Sequence, residues 1–275
     1  MALWGRSASD GMRDFSTFSD IRPSELTVTA GFRFGDRGTQ TSRTIMLNEL
    51  TALFDAVPAH AGPTEYTTAI VDDNALGKQT GANRRLTGQR LRELYGFDLR
   101  LALFRVLRRL WTIDESGRPL LAMLCSLARD PLLRLTAAHI LGLPIGAELV
   151  RSYFLEAIRD DVGHRLNEST LDKVARNAAS SWTQSGHLQG RVRKVRCDVT
   201  PTVGPVAMAL WVGSLEGLAG EQLLRCRWAQ VLDRSQGGLV EIVFQAKQVG
   251  LLSARIGGGV VEIDSSSLDE LHQEH

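Results

Sequence analysis

Apolar residues along this 275-residue chain recur mostly at helical spacing. Ile45, Leu47, Leu50, Leu53 and Phe54 predict a helix over Thr41–Val57, ended by Pro58. Further helices are expected over Glu65–Ala75, Asn83–Tyr95 and Leu99–Trp111, the last apolar almost all round, as a buried helix should be. Asp130-Pro131 reads as an N-cap followed by proline at the first helical position, opening Leu132–Leu141; Pro144 then separates that helix from Ile145–Val162. Residues 1–40, rich in Gly, Ser, Asp and Arg, show no sustained period and read as a flexible leader with a short strand at Leu26–Phe32.

The next segment changes character halfway along. Leu171, Val174, Ala175, Ala178, Ala179 and Trp182 form a helical stripe, with Ser169 and Asp172 as an N-terminal capping pattern and Gly186 as the stop. Strand signals begin only after Gly186, around Leu188–Val199 and again around Leu251–Ile263. The two regions repeat: Gln184-Ser185-Gly186 and Arg191-Val192 stand 64 positions before Gln248-Val249-Gly250 and Arg255-Ile256. That offset makes 239–249 a helix, although Val240–Phe244 alone would pass as a strand, and makes Gly257-Gly258-Gly259 the turn of a second hairpin. The expected fold is mainly α: a helical bundle with helix-turn-helix-like and winged-helix-like units and short β-hairpins in the C-terminal half. Its expected parts are the leader 1–40, a helix-turn-helix-like domain 41–115, and a domain 116–275 with winged-helix-like units.

Composition is that of a globular protein, 43% hydrophobic and 23% charged. No apolar run approaches the ~20 residues that span a bilayer. The N-terminus lacks the basic and apolar regions of a secretory signal, and three widely spaced cysteines suit a reducing compartment, so a cytoplasmic location is expected. The net charge of +1 is unevenly spread. Residues 78–109 hold nine cations against Glu93 and Asp98, and residues 173–196 hold six cations and no acid. Such segregation points to a polyanion-binding surface on an acidic body.

Candidate contacts follow from that charge. On the helix before Gly186, Lys173, Arg176 and Asn177 lie opposite the apolar stripe, with Ser180 and Gln184. Amide and guanidinium groups so placed can pair with adenine and guanine in a major groove. Arg191, Arg193, Lys194 and Arg196 on the following hairpin would lie along phosphates, as a wing does. In the first half, residues 64–97 read as helix, glycine turn and basic helix. Thr68, Ala69, Leu76, Leu86, Leu91 and Leu94 would form its core, Thr87 would face outwards, and Lys78, Asn83, Arg84, Arg85 and Arg90 would contact DNA. The six histidines show no metal spacing, His139 reads as a satisfied core residue, and no cofactor is expected. One catalytic pattern stands beside this: Asp233, a strand at Val240–Phe244, then Gln245 and Lys247 match the acid, strand and Q-x-K order of metal-dependent nucleases.

The order of these segments resembles the BrxA-like family of bacteriophage-exclusion (BREX) defence systems. The resemblance is carried by Ser42-Arg43, by Asn74-Ala75-Leu76 with Lys78 and Thr80, and by Leu91-Arg92 with Tyr95. It continues through Arg134–Arg151 and Ser169–Leu188 and spans residues 42–235. It implies a mainly helical, non-catalytic protein that binds double-stranded DNA as an accessory of an anti-phage complex, with other subunits of that complex as partners. The leader and the last helix–hairpin depart from the family pattern. The alternatives are a scaffold whose arginines meet acidic protein partners, and the nuclease.

Overall fold

The computed structural model describes Phe18 and residues 21–270, and it is mainly helical. The first helix, α1 (Glu25–Ala30), occupies the stretch expected to be a strand. Ser24 and Thr27 cap it reciprocally: the Thr27 N–H donates to Ser24 Oγ at 3.2 Å, and the Ser24 N–H donates to Thr27 Oγ1 at 3.0 Å. Leu26 and Val28, which suggested a strand, face solvent on this helix. Of the expected leader, residues 1–17, 19 and 20 lie outside the described residues, whereas Thr27, Phe32, Thr39 and Gln40 are buried.

A 3-10 turn at Thr39–Thr41 leads by an extended link into α2 (Leu47–Ala56), so the helix expected from Thr41 starts only at Leu47. Met46, with φ 55°, holds the left-handed conformation that separates link from helix. Next come α3 (Pro63–Val71), α4 (Gly81–Tyr95), α5 (Ala102–Ile113) and α6 (Arg118–Arg129). Every α6 residue from Leu120 to Arg129 is buried, which makes this helix the axis of the core.

Asp130 caps α7 (Pro131–Leu135) as its sequence predicts, accepting from the N–H groups of Leu132 and Leu133 at 3.0 and 3.1 Å. Its other oxygen accepts from the Gln40 N–H at 3.1 Å, which ties the 3-10 turn to the core. Gly38 packs so closely here that a side chain would collide with Asp130 Oδ1. A break at Thr136 separates α7 from α8 (Ala137–Leu141), where a single helix was expected. In α9 (Arg151–Val162) helix begins at Arg151, not Ile145. In α10 (Glu168–Gln184) the whole expected stripe is buried, and the Trp182 indole N–H donates to Thr136 Oγ1 at 2.8 Å. Its cap is Asn167, which accepts from the Thr170 N–H at 2.9 Å, rather than Ser169.

A short antiparallel hairpin follows, β1 (Leu188–Gln189) with β2 (Val195–Arg196). Then come α11 (Val203–Leu215), α12 (Glu221–Arg225), α13 (Arg227–Gln230) and α14 (Gln236–Gln248). The chain closes with a second hairpin, β3 (Ser253–Gly257) with β4 (Val260–Asp264). Residues 240–244 are therefore helical, as the repeat requires. The α11 helix is buried from Gly204 to Gly213 and packs on α5, α6 and α14. Asp114 fastens this junction, accepting from the N–H groups of Gly117 at 3.0 Å and Gly204 at 2.8 Å. Thus α5 and α6, on either side of residue 115, share one core with α11. Among the described residues no helix is long and apolar enough to cross a membrane.

Candidate nucleic-acid interface

From α8 onward the chain runs helix, extended segment 146–149, α9, α10, β1, loop 190–194, β2. The extended segment pairs along the outer edge of β2. The Gly146 N–H donates to the Arg196 carbonyl at 2.8 Å, the Arg196 N–H to Ala147 at 2.9 Å, and the Leu149 N–H to Lys194 at 2.7 Å. Helix, strand, two helices and a hairpin whose return strand pairs with the first strand is the topology of a winged helix, with α10 in the recognition position and 190–194 as the wing. A second series of helices ending in a hairpin, without the first strand, runs through α11, α12, α13, α14, β3 and β4. Its long helix ends at Gln248, 64 positions after α10 ends at Gln184.

Between α9, α10 and the wing lies a groove of about 750 Å³. Leu149, Phe154, Ala175 and Ala179 give it apolar walls, and Arg151, Arg176, Arg191 and Lys194 line it as cations, with no carboxylate in the lining. Asp172 holds Arg176 at 3.1 Å and also bonds Arg151. Lys194 Nζ donates to Thr183 Oγ1 at 2.7 Å, and partial burial lowers the pKa of its ammonium. Lys173 and Arg191 are exposed and form no ion pair among the described residues. At the wing tip Val192 is 92% exposed between Arg191 and Arg193, and Arg193 is held by Glu148 at 2.5 Å. Arg151 was absent from the sequence-based set, because its place beside the wing depends on the turn at 142–150.

Two expected contacts of α10 and the hairpin are corrected. Asn177 does not offer its amide to a base: Nδ2 donates to the Gln40 carbonyl at 2.7 Å. On the same side, Ser181 Oγ accepts from the Ile45 N–H at 3.0 Å and Gln184 Oε1 from the Leu47 N–H at 2.9 Å. This polar row satisfies the backbone of the link before α2, and the groove-facing row is Arg176, Ser180 and Thr183. Arg196 is 1% exposed and binds Asp233, 6% exposed, at 2.6 Å, so it cannot reach a phosphate.

The first-half candidates are not brought together as a helix-turn-helix. Nine residues, 72–80, separate α3 from α4, where that motif uses a turn of three or four. Arg84 donates to the carbonyls of Val71 at 3.1 Å and Lys78 at 3.2 Å and so fixes this loop. Lys78 pairs with Glu49 at 3.0 Å and Arg90 with Glu93 at 2.7 Å. Asn83 and Arg85 remain exposed at the start of α4. The buried face of α4 is Thr87, Leu91, Leu94 and Tyr95; Leu86 and Thr68, expected inside, are exposed, and Thr87 is inside. Further along, Arg108 bonds the carbonyls of Phe54 and Val57, and Arg109 bonds that of Ser267. Most of the first basic run thus holds the protein's own carbonyls and carboxylates.

The nuclease arrangement does not form. Asp233 is consumed by Arg196, residues 240–244 are helical, and Lys247, exposed on α14, donates to the Ala254 carbonyl at 2.8 Å. Among the described residues no cluster of His, Cys, Asp and Glu could hold a metal. His139 is half-buried beside Asp161, 2.8 Å away, rather than a core residue. The core histidine is His187. Its Nε2 lies 2.7 Å from the Val231 carbonyl and its Nδ1 2.8 Å from Ser185 Oγ, a pairing that fits the neutral ring donating from Nε2.

Burial pushes the pKa of His187 down to about 4, with the nearby Asp233 carboxylate offsetting part of the effect. A depressed histidine pKa means that the unfolded chain binds the proton first. Stability from the neutral ring is therefore complete above the ordinary value near 6.5 and is lost as the pH falls towards 4. We expect a loss of about 2 kcal/mol between pH 7 and 5, read from urea midpoints. Comparison with His187→Gln removes the opposing contributions of Asp130 and Glu216, whose carboxyls burial pushes up. Equal pH slopes for wild type and His187→Gln would contradict this assignment.

The class defined here is a helical protein bearing two winged-helix-like units, one with a cationic groove. No family model matches the chain, and no curated protein matches it.

Proposed function

We propose that the protein binds double-stranded DNA through its first winged unit, as a non-catalytic accessory of a bacterial anti-phage system of the BREX type. The observation that carries the binding is the groove in which Arg151, Arg176, Arg191 and Lys194 meet without a lining carboxylate, at the junction of the recognition-position helix and the wing. Phosphates are what such a surface fits, because guanidinium forks and an ammonium bind them without regard to sequence. The groove-facing row of α10 carries no amide, so little base readout is expected. The sequence resemblance to BrxA-like proteins supports the defence setting and a cytoplasmic complex with other subunits.

The test is fluorescence anisotropy with unrelated 20-base-pair duplexes over a salt series. Four phosphate contacts give a slope of log K against log salt of roughly −3.6. Unrelated duplexes should bind within a few-fold of one another. Absence of binding at 50 mM salt would remove the proposal and favour a scaffold whose arginines meet acidic proteins.

A further inference from the structure

The repeat supplies an internal control for the second unit. Ser180, Thr183, Gly190, Arg191 and Val192 line the first groove; Phe244, Lys247, Ala254, Arg255 and Ile256, each 64 positions later, line a second groove of about 890 Å³. The two grooves thus occupy equivalent places in the two units. They differ in what covers the return strand. In the first unit the outer edge of β2 is paired by the chain's own segment 146–149. In the second unit β4 has no such partner among the described residues.

The register shows which groups are left open. Gly258 and Gly259, with φ of 58° and 80°, make a two-residue turn, so Gly257 and Val260 form the hydrogen-bonded pair that closes it. Alternation then makes Arg255–Glu262 and Ser253–Asp264 hydrogen-bonded pairs and turns the N–H and C=O groups of Val261 and Ile263 outward. Two contacts agree. The outward Ala254 carbonyl on β3 accepts from Lys247, and on β4 the Val261 carbonyl points at Gly220, where a side chain would meet it at 2.8 Å. Gly220 lies against the Val261 carbonyl without a backbone bond to it among the described residues, so a strand added here takes the place of Gly220 at that carbonyl. Two donors and two acceptors therefore stand in a row beside a groove with Phe244, Ile256, Val261 and Ile263 in its lining.

Charge selects the occupant. In the first unit the covering segment carries Glu148 and the wing is basic, and the two are joined through Arg193. In the second unit the return strand is acidic: Glu262 and Asp264 are exposed on β4, and Arg255 answers Glu262 only at 3.9 Å. Two-fold pairing of β4 with a second copy, centred on Glu262, would set that residue against its own copy, a destabilising like-charge pair. We propose that the open edge of β4 accepts an extended segment of a partner protein as an added strand, with apolar residues alternating with lysine or arginine that face Glu262 and Asp264. Main-chain bonds to Val261 and Ile263 supply pairing, and the basic side chains supply selectivity.

The experiment uses the full chain without DNA and three fluorescein-labelled heptapeptides. One alternates Lys and Val, one alternates Glu and Val, and one is the Lys–Val peptide with its central Val replaced by Pro. Anisotropy should show the Lys–Val peptide binding at least tenfold tighter than both others, and Glu262→Lys should reverse the preference towards the Glu–Val peptide. Glu262 is exposed, so this variant keeps the fold, which circular dichroism checks. Equal binding of the proline peptide would reduce the effect to diffuse charge attraction and overturn the proposal, as would an unchanged preference in Glu262→Lys. No binding of the Lys–Val peptide at 1 mM overturns it too. So does sedimentation showing a dimer that Glu262→Lys changes, because the occupant would then be a second copy.

Discussion

Replacing Arg196 with Ala is expected to cost about 3–5 kcal/mol of stability, the cost of breaking a buried ion pair from one side. Arg196 Nη2 lies 2.6 Å from Asp233 Oδ1, and Nε donates to the Ile140 carbonyl at 3.0 Å. Further bonds reach the carbonyls of His187 and Cys197. One guanidinium thus fastens the end of α8, both hairpin strands and the turn before α14. Alanine leaves the buried Asp233 carboxylate without its guanidinium partner and the Cys197 carbonyl without that donor, while the Ile140 and His187 carbonyls keep backbone N–H partners. Asp233→Ala should also destabilise strongly, and the double variant should lose less than the sum of the two, because the same interaction is removed twice. Arg191→Gln, on an exposed residue of the same hairpin, should stay within about 0.5 kcal/mol of wild type. Urea denaturation of the four variants checks this. A melt of Arg196→Ala matching wild type would return Arg196 to the surface, and with it the phosphate contact that the sequence suggests.

Arg196 also marks where sequence reading stopped. Periodicity identifies which face of a helix is apolar, and it did so for α10, where the stripe ending at Trp182 is buried. Local chemistry was legible at Asp130-Pro131, and the 64-residue offset made 239–249 a helix against its β-branched composition, where α14 spans Gln236–Gln248. A polar face carries less information. Asn177 and Gln184 look like solvent-facing groups, yet they bind the backbone of Gln40 and Leu47, each 137 positions away. Nothing local announces that an extended link needs its N–H groups satisfied by a helix. Charge runs fail for the same reason: long side chains of Arg108, Arg109 and Arg196 reach carbonyls from distant elements. In α4 the error was one of phase. Leu86 and Thr87 are adjacent, and the threonine, not the leucine, faces the core because Leu91 and Leu94 set the buried face. The low positive charge of the second unit points in the sequence to packing or partner contact rather than DNA, but an open strand edge is a property of pairing that no local pattern carries.

The surviving charge can be tested as a unit. Lys173, Arg176 and Arg191 are exposed, and among the described residues only Arg176 has an ion-pair partner, so the triple change to Gln should leave the fold intact. Asp172 keeps Arg151 as its partner in that variant. If each of the three meets a phosphate, the salt slope should flatten by about 2.7, at roughly 0.9 per contact. At 0.1 M salt, counted from a 1 M reference, each contact carries about eightfold, so the triple variant should bind several hundredfold more weakly. All duplexes should suffer alike, since phosphate contacts carry no sequence information. A parallel variant with Lys78, Arg84 and Arg90 changed to Gln separates the two basic runs. Those residues hold Glu49, a pair of loop carbonyls and Glu93, so their loss should lower the melting temperature while leaving the salt slope of the remaining folded protein unchanged. The opposite pattern, a flat response in the first variant and a reduced slope in the second, would move the DNA surface from the winged unit to the start of α4, where Asn83 and Arg85 stand exposed.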